Sequence, residues 1–170
     1  KTIEYTNKKT EKFNWFIFGD GSEKKSLENF VKSKKNIKNV FFYKPVKQSE
    51  LSFIFRKYAD LLLVSLANSK PLKWTIPGKI QFYFQTKKPI IGMLSGDANL
   101  LIKKSNSGFV VNSGDYLSFS KLLIILSKSN KKNIFKDKGI NGYNFSKKNF
   151  NKKIIIKELK DILLILKWII

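Results

Sequence analysis

The stretch FIFGDGSEKKSLE, residues 16–28, carries residue types that can hold a phosphate. An apolar run ends at Phe18, Gly19 and Gly21 permit a tight turn, and a helical pattern begins behind Ser22, its expected N-cap. Backbone N–H groups freed at a helix start attract an anion, and Lys24 adds a point charge. Alone, a G-x-G after a strand is equally a plain strand-to-helix turn. A second stretch of this character is WTIPGKIQFYF, residues 74–84, in which Thr75, Ile76, Pro77, Gly78 and Lys79 lead into an apolar helical pattern.

Other chemistries are excluded by composition. The 170 residues contain no histidine and no cysteine, which removes the commonest general base, the thiolate nucleophile and the usual metal ligands. With 12 carboxylates and neither of those residues, no metal site is expected. The formal charge is +22, yet 33 of the 34 basic residues are lysine and one, Arg56, is arginine. Bidentate phosphate and guanine recognition favours arginine, so a dedicated nucleic-acid binder is not expected. The 20 isoleucines and 15 asparagines that accompany the lysines fit a codon bias from an A/T-rich genome, which makes most of the charge solvated surface.

The elements that must position these loops alternate along the chain. Apolar runs at Phe13–Phe18, Val40–Tyr43, Leu61–Leu66, Pro89–Met93 and Gly108–Val111 read as buried strands. Helical patterns at Ser22–Lys34, Gln48–Tyr58, Ile76–Gln85, Ala98–Lys104 and Asp115–Ser127 separate them. Such alternation predicts an α/β fold with a doubly wound parallel sheet, whose ligand lies at the carboxyl ends of the strands. This Rossmann-like part would cover 1–127. A C-terminal helical extension would cover 128–170, with Gly139 and Gly142 as expected helix breaks and a last helix from about Ile154. The polar stretch YTNKKTEK before the first strand reads as a helix end, so the opening strand of the fold is expected upstream. The first residue is Lys rather than Met, which fits a fragment or a processed form. The apolar tail is interrupted by charges and is expected to be amphipathic rather than membrane-spanning.

Taken in order, GDGSEKKSLE, NVFFYKPVKQSEL, KYADLLLVSL, TIPGKIQFYFQTKKPIIGMLSGDA, SGFVVNSGD and GINGYNFSKKNF resemble one family. This is the C-terminal, nucleotide-binding domain of group 1 (family four) retaining glycosyltransferases of GT-B fold, in the bacterial polysaccharide-biosynthesis branch. The likeness spans nearly all of residues 10–150. It implies that Gly19, Gly21 and Lys24 lie near a donor diphosphate, and that Tyr43, Lys44, Pro45 and Val46 meet the nucleotide base. Thr75, Ile76, Gly78 and Lys79 match the T-I-P-S-K loop beside the pyrophosphate. Asp97 matches the acidic residue of the family's G-E, and Gly114-Asp115 its G-D. Tyr58-Ala59-Asp60 matches a segment in which the aspartate is structural.

The sequence also departs from that family. Many members carry two glutamates, the second seven residues before a proline, where it holds the donor ribose. Counting back from Pro89 reaches Phe82, and the earlier position is Trp74. A further family glutamate falls on Leu100, and Thr86 and Lys87 replace a small residue and a glycine. A buried hydroxyl deprived of its acceptor costs ~1–3 kcal/mol. Gln81 or Gln85 is the available replacement acceptor.

The resemblance therefore implies the donor-binding half of a glycosyltransferase. It would move sugar from a nucleoside diphosphate sugar, UDP- or GDP-linked, to a cell-surface glycan or a lipid-linked acceptor. It needs no cofactor and no metal, but it does need an N-terminal acceptor domain, without which the chain would be inactive. A cytoplasmic place follows, peripheral at the inner face of the plasma membrane, where the basic stretch from Lys128 to Lys160 would face anionic lipid. The alternatives are a non-catalytic remnant of such an enzyme and a charge-driven nucleic-acid or membrane-surface binder.

Overall fold

A computed structural model describes residues 1–10, 12–128 and 132–166. The last four residues of the expected terminal helix and residues 129–131 lie outside that range. Helix α1, Thr2–Asn7, is the helix end expected before the first strand. Strand β1, Trp15–Phe18, pairs in parallel with β2, Val40–Tyr43, after helix α2, Lys24–Ser33. Helix α3, Gln48–Tyr58, then crosses to β3, Leu62–Ser65. The turn α4, Lys70–Lys73, and helix α5, Gly78–Phe84, precede β4, Ile90–Met93. Helix α6, Asp97–Lys104, leads to β5, Gly108–Val111, and α7, Tyr116–Lys128, follows.

All five strands fall where the apolar runs lie, and every pairing is parallel. The sheet is nevertheless in two parts, β1-β2 and β3-β4-β5, because β1 and β3 do not pair. Two cores cover the larger part. On one face Leu62, Val64, Ile80, Phe84, Ile90 and Ile102 are all 4% exposed or less, from packing of α5 and α6. On the other, Ile91, Phe119, Leu123 and Leu126 pack under α7, together with Phe13, Trp15 and Leu61. Each such large apolar side chain contributes about 1.5–3 kcal/mol by leaving water.

The sequence reading differs from the structure in two local places. Ser22 does not cap α2: the helix starts two residues later behind Glu23, and no side chain bonds its first turn. Gly139 and Gly142 do not break a helix. Helix α8, Lys132–Asn149, runs through both. A Cβ at Gly139 would stand 2.0 Å from the Lys87 carbonyl oxygen, and one at Gly142 would stand 2.8 Å from the Phe84 ring. Glycine is there to let α8 lie flush on the end of α5. Phe84 meets Phe145 and Phe150, and the Gln85 amide bonds the Ser146 hydroxyl. The last helix, α9, Lys152–Leu166, begins close to the expected Ile154. Its described side chains are exposed, Ile155, Leu159, Ile162 and Leu163 among them.

Candidate functional site

Strands are parallel within each part of the sheet. Trp15 and Leu61, at the starts of β1 and β3, pack on one cluster, and Phe18 at the end of β1 reaches Tyr83 of α5 through Phe55. The loops after the five strands therefore lie toward one edge. Four of the sequence stretches singled out above lie on that edge. After β1, Gly19 has φ 142°, a conformation side chains resist, so this glycine makes the turn. Gly21 is exposed with open space about its Cα and no positive φ, so folding does not require a glycine there. Lys24, in the first turn of α2, reaches back. Its Nζ donates to the Gly19 carbonyl at 3.0 Å and to the Tyr43 carbonyl at 3.1 Å. One ammonium thus ties together the carboxyl ends of β1 and β2, and its third N–H is left for an anion.

Tyr43 lies half-open at the end of β2, its ring stacked on Phe18 with centroids 5.0 Å apart. Lys44 and Pro45 are exposed and Val46 is half-buried, which leaves an accessible apolar and cationic shelf beside the Lys24 ammonium.

The Thr75–Lys79 loop is brought to the same edge by a backbone contact. Gly96, with φ 73°, sits so close to Lys73 that a Cβ would stand 1.9 Å from that carbonyl oxygen. The 70–79 segment and the β4–α6 turn therefore press on one another. Thr75 donates its hydroxyl to Pro71 O at 3.1 Å, which shapes the loop. Ile76, Gly78 and Lys79 are exposed, and no side chain caps either α5 or α6. Asp97 lies in the first turn of α6. Behind it, buried Asn99 donates to Leu94 O at 2.8 Å, and Ser95 Oγ accepts from Ser113 N at 3.0 Å. These two bonds fix the β4 and β5 turns, and no pattern in the sequence pointed to them. Asp115 is a helix cap: its carboxylate accepts from Ser118 N at 2.9 Å, and that bonding lowers its pKa.

The positions of the missing carboxylates are now placed. Phe82 is half-buried within an aromatic group, 6.0 Å from the Phe55 ring and 6.2 Å from Tyr83. Trp74 is 80% and Leu100 62% exposed. Gln85 stands at the C-terminal end of α5, where its amide nitrogen donates to the Ser146 hydroxyl. Gln81 is exposed. Lys87 takes φ 58°, a backbone conformation that favours glycine, and lays its ammonium 4.6 Å from the Tyr143 ring. A shallow, open depression of about 370 Å³ lies at the opposite edge, between the end of α6 and α8. The site itself is an open shelf.

No protein-family profile matches the chain, and no curated protein matches it in sequence. Solved structures do. HepE from Anabaena, in complex with UDP, superposes with a TM-score of 0.76 at 14% identity, over 95% of this chain and 43% of that one. TarM gives 0.74 at 15% identity, over 94% and 31%. The pneumococcal O-GlcNAc transferase GtfA, in complex with UDP and GlcNAc, gives 0.70 at 14%, over 97% and 32%. The fold is that of the Rossmann-like half of a GT-B glycosyltransferase. The chain spans less than half the length of each of these structures.

Proposed function

We propose that this chain is the donor-binding half of a nucleotide-sugar-dependent glycosyltransferase, of the retaining family-four type. The observation that carries it is the convergence of three turns on one strand edge of this fold. They are the Gly19–Lys24 turn, the Tyr43–Val46 shelf and the Thr75–Lys79 loop pressed on Gly96-Asp97. HepE and GtfA, which share the fold, are bound to UDP or UDP-glucose. On this reading Lys24 and Lys79, with the uncapped first-turn amides of α5 and α6, surround the diphosphate. Their donors are strongest where negative charge grows on the leaving phosphate, so they favour departure of the nucleotide without a metal. Tyr43 and Val46 carry the base. The acceptor, a cell-surface glycan or a lipid-linked sugar, is read by a second domain, and transfer by these residues alone is not expected. The exposed isoleucines and leucines of α9, interleaved with Lys152, Lys153, Lys157 and Lys160, suit the inner face of an anionic membrane.

Calorimetric titration of the folded chain with UDP and with GDP tests this. Micromolar binding of one nucleotide is expected, with an about tenfold loss in Lys24→Ala and in Lys79→Ala, as for one charge-assisted bond. Silence with both nucleotides ends the donor reading. A second reading, a remnant that no longer binds donor, rests on the aromatic packing of Phe82 where a ribose-binding carboxylate would stand. It predicts that Phe82→Glu with Leu100→Glu gains nucleotide affinity from none. If the doubly substituted chain stays silent, lost carboxylates are not the cause.

A further inference from the structure

We infer that the depression between the end of α6 and α8 is a binding site for an acidic oligosaccharide. It lies at the opposite edge from the Lys24 and Lys79 loops, so the inference does not rest on nucleotide binding.

The walls of the depression are fixed by the fold. Helix α6 ends in a tight turn, in which Asn106 N donates to Lys103 O at 3.0 Å and Ser107 N to Ile102 O at 3.2 Å. That turn takes a left-handed residue, and Asn106 supplies it with φ 48°. Beneath it, buried Ser105 donates its hydroxyl to Leu101 O at 2.7 Å and lies 2.7 Å from the Ser107 hydroxyl. Lys138 ties α8 to the turn: its Nζ donates to Asn106 Oδ1 at 2.9 Å and stands 4.8 Å from the Phe109 ring. Phe145, on the lining, is held edge-on to Phe84 and Phe150, with centroids 6.1 and 6.0 Å away.

The asparagines on the lining are each anchored at one atom and open at the other. Asn106 Oδ1 is taken by Lys138, which leaves its Nδ2 hydrogens as donors. Asn149 Nδ2 donates to Phe145 O at 2.8 Å and Asn141 Nδ2 to Asn106 O at 3.5 Å, which leaves two Oδ1 acceptors. Exposed Asn144 has no partner among the described residues and offers both a donor and an acceptor. Fixed neutral donors and acceptors beside a half-buried ring suit a pyranose. Its hydroxyls both give and accept hydrogen bonds, and its C–H face packs on an aromatic ring.

Charge narrows the ligand. Helices α6 and α8 both end here, and the negative ends of their dipoles oppose a compact, multiply charged phosphate. They favour hydroxyl donors. Lys104 and Lys148 are exposed on the lining, and no carboxylate lines it, so a sugar carrying one acid group finds a cation on either helix. The volume of about 370 Å³ is near the lower bound for small-molecule sites, and its shallowness suits a chain laid across it.

The test titrates the whole chain with a tetrasaccharide of galacturonic acid and follows side-chain amide signals by two-dimensional NMR. Saturable shifts at Asn106 and Asn144 are expected. Affinity should fall about tenfold in Asn106→Gly and in Asn144→Ala, as for one lost hydrogen bond to a charged or polar partner. Glycine keeps the left-handed turn and Asn144 has no bond to lose, so both variants should melt like the unaltered chain. Neutral maltotetraose should bind about tenfold more weakly than the acidic probe, and Lys148→Gln should narrow that gap. UDP should not displace the tetrasaccharide. No saturable shift up to about 10 mM probe overturns the site, since weaker affinity is nonspecific contact. Equal binding of maltotetraose overturns the acidic ligand, displacement by UDP overturns a separate site, and the same shifts with inorganic tripolyphosphate reduce it to charge alone.

Discussion

At Gly21 and Gly78 a Cβ would meet nothing within 4 Å, and neither residue has a positive φ. At Gly96 and Gly139 it would run into backbone oxygens at 1.9 and 2.0 Å. The same substitution therefore separates the two kinds of glycine. Gly21→Ala and Gly78→Ala should change unfolding free energy in urea by less than about 0.5 kcal/mol, while Gly96→Ala and Gly139→Ala should each cost about 1–3 kcal/mol or more. If nucleotide binds where proposed, the first pair loses affinity while keeping its stability. Phe82 is the opposite case, a residue whose present role is packing. Phe82→Ala should cost about 2–4 kcal/mol, moderated by its half-exposure, because Phe55 and Tyr83 lose a ring neighbour.

At the scale of elements, α1 is held by an ion pair. Lys34 Nζ lies 3.2 Å from Glu4 Oε1, and that hydrogen bond, aided by the field of Lys34, lowers the Glu4 pKa below its ordinary 4.5. A depressed folded-state pKa stabilises above the unfolded value and is lost as pH falls through the folded one. The ion pair thus helps dock α1 at neutral pH and fades below about pH 4.5, and the Asp115 cap of α7 fades below about pH 3.8. Glu4→Gln and Asp115→Asn should flatten the acid limb of a thermal-melting series from pH 7 to 3 and leave the neutral value lower. Much of this level was legible in the sequence: five apolar runs became five strands, although only β3 and β4 among them carry buried residues. The turns that form the candidate site were legible as the glycine-rich and lysine-rich breaks between those runs. What was not legible depends on long-range contact. Gly139 and Gly142 read as breaks because the neighbour that needs them, α5, lies some fifty residues away in the chain. The bond from the Gln85 amide to Ser146 was not legible because nothing local reveals Ser146. Ser22 read as a cap because composition alone does not say where a turn ends.

For the whole molecule the governing quantity is a charge of +22, carried by the helices after α1 and by the loops, since no strand contains a lysine or arginine. The carboxylates pair sparingly: among the described residues both ion pairs involve Glu4. Such a surface attracts any polyanion at low ionic strength, so binding to nucleic acid there would say little about function. The two kinds of anion binding differ in how they respond to salt. Contact with many phosphates releases many counterions, so affinity for a DNA or RNA duplex should fall by about 10³-fold or more between 50 and 200 mM salt. A nucleoside diphosphate gripped by Lys24, Lys79 and backbone amides involves few charges at short range, and its affinity should fall by less than about tenfold over that range. Fluorescence anisotropy with a labelled duplex and with a labelled UDP, in one salt series, measures both. Duplex binding that persists at 200 mM salt while UDP binding is absent would make the basic surface the functional one and retire the donor reading.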